Sequence, residues 1–194
     1  VGGIFSALEP LAFLAMALFA VYMYRKGEKS HPNKIALFWT IGASIVSFVG
    51  AGLLGFAHTL PQTNIYTHGT LVTAMHGHYA FWGAYAMIVL AIISYALPNM
   101  TGRKRYNSTQ GHMAFWFSNV GMLGMTVAFG VAGVAQVYLE RKMKMDFMDV
   151  QNEIAIHFVV LLVCATLFAT GITMFIIEFI KYGKPTDEAL IKEE

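Results

Sequence analysis

Five apolar runs, at residues 3–24, 35–57, 67–97, 111–139 and 150–182, occupy most of the chain. Each is as long as the roughly 20 residues an α-helix needs to cross a hydrocarbon core about 30 Å thick. Backbone groups in hydrocarbon find no water, so a spanning segment must satisfy its own hydrogen bonds, and a helix does this within one run. The expectation is an all-α polytopic membrane protein with five transmembrane helices. Nothing repeats between the runs. The third and fifth exceed the minimum length, which implies tilt or extension beyond the bilayer. The composition agrees: apolar residues are 57% of the 194, charged residues 12% and aromatics 14%, more apolar surface than a soluble core hides.

The formal charge of +2 is too small to imply a nucleic-acid partner, and its placement matters more than its sum. Arg25, Lys26, Lys29 and Lys34 lie between the first two runs, Arg103, Lys104 and Arg105 between the third and fourth, and Lys181, Lys184 and Lys192 at or beyond the end of the fifth. These 10 of the 13 basic residues share one side of the membrane. The other side has none in 58–66 and three in 140–149, balanced there by Glu140, Asp146 and Asp149. By the positive-inside rule the chain starts outside and ends in the cytoplasm. Pro61 and Asn64 mark an outer loop, Pro98, Asn99 and Gly102 break the chain after the third run, and Pro185 with the acidic stretch 187–194 reads as part of a solvated cytoplasmic tail, 183–194. Cys164 is the only cysteine, so no intrachain disulfide forms. The chain opens Val-Gly-Gly with no initiator methionine and runs straight into an apolar segment, so it reads as the C-terminal portion of a longer polypeptide: a single helical segment, 1–194, of a larger bundle.

Into the third run the sequence sets His68, His76 and His78, the last two separated only by Gly77. Each helical residue turns about 100°, so positions i and i+2 point about 200° apart while differing in height by about 3 Å. Such a pair cannot share one metal. A zinc pair on a helix is spaced i,i+4, with both imidazoles on one face. The i,i+2 spacing instead offers one axial nitrogen on each flank at nearly one depth, which suits two flat cofactors, and Gly77 leaves the backbone between them open to bulky groups. The competing reading is a pair of satisfied core histidines. Hydrocarbon weighs against it, because an ionisable group inside a span is costly and is a functional candidate by default.

The stretch T-H-G-T followed by M-H-G-H-Y-A-F-W-G-A-Y resembles the tenth helix of the large subunit of the bacterial nitric oxide reductases, a branch of the haem-copper oxidase superfamily. The cytochrome oxidases usually carry an aromatic residue between the two histidines, so Gly77 favours the nitric oxide branch. The resemblance implies that His76 ligates the high-spin haem b3 and His78 the low-spin haem b. It also implies that His68 lies near haem propionates; a histidine at a helix start in the polar interface is the other reading of that residue.

Glu9, followed by Pro10, is the other ionisable feature inside a run that is hard to dismiss. It lies six residues after Gly3, about 9 Å below the outer end, while His76 lies nine after Thr67, about 14 Å below the same surface. On spacing alone Glu9 is a functional carboxylate or a first-turn Glu favoured by the helix N-terminus, with Pro10 at an early position. F-S-A-L-E-P-L at 5–11 resembles the eighth helix of the same reductase subunit, and the likeness continues through all five runs, implying helices eight to twelve of a twelve-helix bundle. It places Glu9 near the non-haem iron in proton delivery, with Ser6 and Thr59 as partners in that path. Solvated Ser and Thr would look the same.

In that family the non-haem iron is held mainly by residues on earlier helices, and the second axial ligand of the low-spin haem on an earlier helix still. None of those motifs occurs here, so the chain would present two haem ligands without completing a binuclear site. The expected function is part of a catalytic subunit in the bacterial inner membrane that reduces nitric oxide to nitrous oxide in denitrification. Its expected partners are the N-terminal portion of the same subunit, membrane lipid, and a cytochrome c subunit or quinol as electron donor. A terminal oxidase subunit reducing O2 and a non-catalytic haem-carrying electron-transfer protein are the alternatives. His58 and His112 fall at run boundaries, where an imidazole costs little, and His157 is expected in a helix contact. Asn119 and Gln136, with nearby glycines, suggest close helix packing and interhelical hydrogen bonds. Met113, Met122 and Met125 read as core filler.

Overall fold

The computed structural model describes residues 2–27, 33–102 and 108–182, and among these it is helical with no strand. Lys29, Arg103, Lys104, Arg105, Lys184 and Lys192, with Pro185 and the tail at 187–194, lie outside the described residues. Five helices are long and apolar enough to cross a membrane: α1 (Gly3–Lys26), α2 (Lys34–Thr59), α3 (Leu71–Met100), α4 (Thr109–Lys142) and α5 (Ala155–Ile180). Short helices at Pro61–Thr67 and Phe147–Glu153 join α2 to α3 and α4 to α5 at one end of the bundle.

Local chemistry sets the ends of α3. It begins at Leu71, four residues past the start of the apolar run at 67, because the chain turns first: Gly69 has φ 73°, the left-handed region that favours glycine, and Thr70 caps the helix by accepting from the Val72 N–H at 3.3 Å. The buried Gln136 of α4 completes this cap, its Oε1 accepting from the Leu71 N–H at 2.9 Å, so a neighbouring helix satisfies one of the orphan donors. At the far end, helix continues through Pro98 to Thr101 rather than breaking there, and Gly102 ends it in the left-handed conformation. Proline removes the N–H that would have bonded the carbonyl of Ser94. Asn33 Nδ2 donates to that carbonyl instead, at 2.7 Å, while Asn33 Oδ1 caps α2 by accepting from Ala36 N–H.

The core is aromatic. Trp39 of α2 is fully buried and meets Trp82 of α3, Phe115 of α4 and Phe175 of α5 edge to face, at centroid distances of 6.1, 5.0 and 5.9 Å. Such pairs contribute about 0.5–1.5 kcal/mol each beyond burial. Trp116, in contrast, is exposed. Because lipid is as apolar as a leucine side chain, helices associate here through tight packing and polar contacts. Both devices expected from the sequence are present. Backbones meet at Gly121 and Gly171, where a Cβ would run into the main chain of Phe168 and Ser118 respectively, and Trp82 Nε1 donates to Asn119 Oδ1 at 3.1 Å. The outer faces of α1 and α5 expose large apolar side chains such as Phe19, Leu162 and Val163, as lipid-facing or partner-facing helices do.

Two of the long helices contain a π-helical stretch that bears on the histidines: Phe48–Leu54 within α2, and Trp82–Ala86 in α3, one turn beyond His78. A π-turn widens the ring to i→i+5 and leaves a carbonyl to spare, and such bulges occur frequently at functional sites.

Candidate functional site

His76 and His78 sit in regular α-helix, Leu71–Phe81, so the turn per residue carries their side chains to opposite flanks of α3. The partly buried His76 faces α2, with Nδ1 2.9 Å from the carbonyl oxygen of Gly50. The exposed His78 faces α4, its ring 5.0 Å from that of Phe129, with Nδ1 2.8 Å from the carbonyl oxygen of Ala74 one turn earlier. Apart from its chain neighbours and its own helix backbone, no described atom lies within 4 Å of where a Cβ on Gly77 would stand, so bare backbone separates the two flanks.

Both contacts fix a tautomer. A carbonyl oxygen only accepts, so each Nδ1 must carry the proton and donate, which leaves the lone pair of a neutral imidazole on Nε2. Histidines that ligate a metal are commonly held this way, the far N–H on a carbonyl and the near nitrogen free. The two imidazoles therefore meet the requirements of single axial ligands. Among the described residues no three His, Cys, Asp or Glu side chains come together as a cage for a metal ion.

The π-helical stretch of α2 brings its carbonyl to His76, and glycines let it come close. A Cβ on Gly50 would stand 2.8 Å from Ala80 N and Tyr79 C, main-chain atoms that cannot swing aside. One on Gly52 would stand 3.1 Å from Pro10 Cα, tying the same stretch to α1, and one on Gly55 would stand 3.3 Å from His76 Cε1. Gly50→Ala should therefore force α2 and α3 apart and lower thermal stability by about 1–3 kcal/mol, the usual cost of overpacking. Gly77→Ala should cost nothing and should add about 0.5–1 kcal/mol, because it lies inside a helix and a Cβ there meets open space. Melting curves of the two purified variants check this, and equal curves would sink the close-approach argument.

The remaining candidates lie around that end of the bundle. His68 is exposed and caps the short helix Pro61–Thr67, its N–H bonded to the Asn64 carbonyl at 2.9 Å; it is not on α3, because the turn at Gly69 and Thr70 intervenes. Glu9 is exposed and opens the stretch Glu9–Lys26, after a turn at 7–8 that interrupts α1, with Pro10 next in the first turn. Ser6 ends the preceding turn of helix, and the Thr59 hydroxyl donates to the Phe56 carbonyl at 2.8 Å. The Thr59 carbonyl approaches Gly3, so the start of α1 and the end of α2 are in contact. No hydrogen bond joins Ser6, Glu9 and Thr59 among the described residues.

One residue enters the site from a place the sequence did not mark. His58, near the end of α2, stacks on His76 with ring centroids 5.0 Å apart and planes 24° from parallel. Its Nδ1 donates to the Leu54 carbonyl at 3.0 Å, and its buried Nε2 has no hydrogen-bond partner among the described residues. No spacing in the sequence signals this, since it depends on how α2 lies against α3.

Fold and site together define a class: a multi-pass helical membrane protein that presents one imidazole nitrogen to each flank of a single helix. The chain belongs to the cytochrome c and quinol oxidase polypeptide I family of haem-copper oxidases, whose family model matches residues 1–177, and membership implies haem cofactors. It is 41% identical over 192 residues to a nitric oxide reductase subunit of Stutzerimonas stutzeri, an alignment covering 95% of this chain. The chain spans 40% of that relative's length. The likeness first visible in H-G-H and F-S-A-L-E-P thus extends along nearly the whole chain.

Proposed function

We propose that this chain is part of the catalytic subunit of a nitric oxide reductase, with His76 the axial ligand of the high-spin haem b3 and His78 that of the low-spin haem b. The observation that carries the reading is the pair of Nδ1–H···O=C contacts, which point two Nε2 lone pairs to opposite flanks of one helix. The reaction joins two nitric oxide molecules, two electrons and two protons into one nitrous oxide and one water. When bound, the haems supply the electron transfer and the site where nitric oxide is reduced. The chain's own residues would orient and protonate: α3 holds the two imidazoles at nearly one depth, which would keep the haems close, and Glu9, with Ser6 and Thr59, would deliver protons from the outer side. His68 would lie by the haem propionates.

The rest of the assembly comes from elsewhere. The N-terminal portion of the subunit would hold most of the non-haem iron's ligands and the second ligand of the low-spin haem, and a cytochrome c subunit or quinol would supply electrons. The setting is a bacterial inner membrane, with the end of the chain in the cytoplasm. Metal analysis of the purified complex, paired with nitric oxide consumption, tests this reading. Iron beyond haem iron together with nitric oxide turnover supports it. Copper with O2 turnover would replace it by a terminal oxidase, and haem without either turnover by an electron-transfer protein.

A further inference from the structure

We propose that His58 is a positioning residue that fixes the ring plane of His76; the inference rests on the reading of His76 as an axial haem ligand. A single hydrogen bond from Nδ1 to the Gly50 carbonyl sets which nitrogen is free, but it leaves the imidazole able to rock about that bond, because the torsion between an sp3 carbon and a flat ring has a broad minimum. A second contact is needed to define the plane. His58 provides it: its ring lies over that of His76 at 5.0 Å and 24° from parallel.

The support is itself supported. His58 is tethered through Nδ1 to the carbonyl of Leu54, and His76 to that of Gly50; both carbonyls belong to the π-helical stretch Phe48–Leu54, four residues apart. Neighbouring turns of one helix face therefore hold two imidazoles by the same atom, and near-parallel rings follow from that arrangement. The Nδ1 tether explains why a histidine stands here, since a phenyl ring would stack without being held. The Nε2 of His58 makes no hydrogen bond among the described residues, so toward His76 it is the face of the ring that acts. Gly55 contributes by omission: its missing side chain leaves the Cε1 and Nε2 edge of His76 uncrowded.

The test uses the full purified complex and reads the iron–imidazole stretching band of the reduced high-spin haem by resonance Raman, alongside turnover. In His58→Leu the band should be displaced and broadened and turnover about 10-fold lower, within the range typical of removing support from a metal-bound imidazole. In His58→Phe, which keeps a ring on His76 but loses the tether to Leu54, the band should be displaced clearly less than in His58→Leu. Haem content and the low-spin spectrum should be unchanged in both, because His78 faces the other flank. An unmoved band in His58→Leu would overturn the proposal. So would equal displacement in both variants, which would assign His58 a role through its nitrogens. If His58→Leu does not assemble, His58→Gln decides, since it retains a donor for the Leu54 carbonyl but has no ring: a displaced band supports stacking and an unmoved one overturns it. A band that persists in His76→Gly would refute the ligand assignment itself, separately from His58.

Discussion

His78→Ala should abolish the low-spin haem spectrum of the assembled enzyme while the high-spin haem remains detectable, and His76→Ala should do the reverse. The expectation follows from the geometry of one helix. The two side chains leave α3 on opposite flanks, His76 toward the Gly50 carbonyl of α2 and His78 toward Phe129 of α4, so neither imidazole can stand in for the other. Each is also oriented by its own carbonyl, at Gly50 or Ala74, so removing one leaves the other's tautomer and direction intact. The effect is the complete loss of one spectral species rather than a graded weakening of both. Reduced-minus-oxidised optical spectra, with carbon monoxide added to mark the high-spin haem, separate the two. If both substitutions removed the same species, the two-flank arrangement would not be the functional one.

That arrangement is legible in the sequence because it depends only on helical periodicity: once 67–97 is a helix, the i,i+2 spacing of H-G-H dictates divergence. The five spanning helices are legible for a similar reason, since length and apolarity suffice. What could not be read depends on contacts between helices or on local departures from regular geometry. The start of α3 at Leu71 comes from Gly69, Thr70 and a glutamine contributed by α4. The persistence of helix through Pro98 rests on Asn33, 61 residues earlier, reaching the Ser94 carbonyl. The π-helical stretch in α2 has no periodic signature, and without it neither the Gly50 carbonyl nor the stacking of His58 on His76 can be anticipated. The glycines at 50, 52 and 55 were visible as residues, but each faces a different neighbour, α3, α1 and the His76 ring in turn.

Glu9→Gln should reduce steady-state nitric oxide turnover about 10²-fold, the scale of losing an acid–base group, while both haems stay bound and reducible. The substitution keeps shape and hydrogen bonding but cannot take up or release a proton. Locally, Glu9 looks like a residue that begins a helix: it is exposed, it opens the stretch Glu9–Lys26, and Pro10 follows it in the first turn. A carboxylate there gains about 0.3–1 kcal/mol from the helix N-terminus, so a purely structural Glu9 would cost little when replaced by glutamine. The functional reading draws on position rather than on local contacts. Pro10, its neighbour, packs against Gly52 in the same π-helical stretch whose Gly50 carbonyl holds His76, so the start of α1 is fixed relative to the proposed high-spin haem ligand. Ser6 lies one turn before it, and Thr59 closes the contact between α1 and α2 at that end. On the proposed reading, a proton donor so placed would follow the charge that develops as nitric oxide is reduced, from the side proposed to be the outer one. Turnover compared at matched haem content distinguishes the two roles. A rate within about twofold of wild type, far from the loss expected of an acid–base group, would make Glu9 a helix-start residue and nothing more.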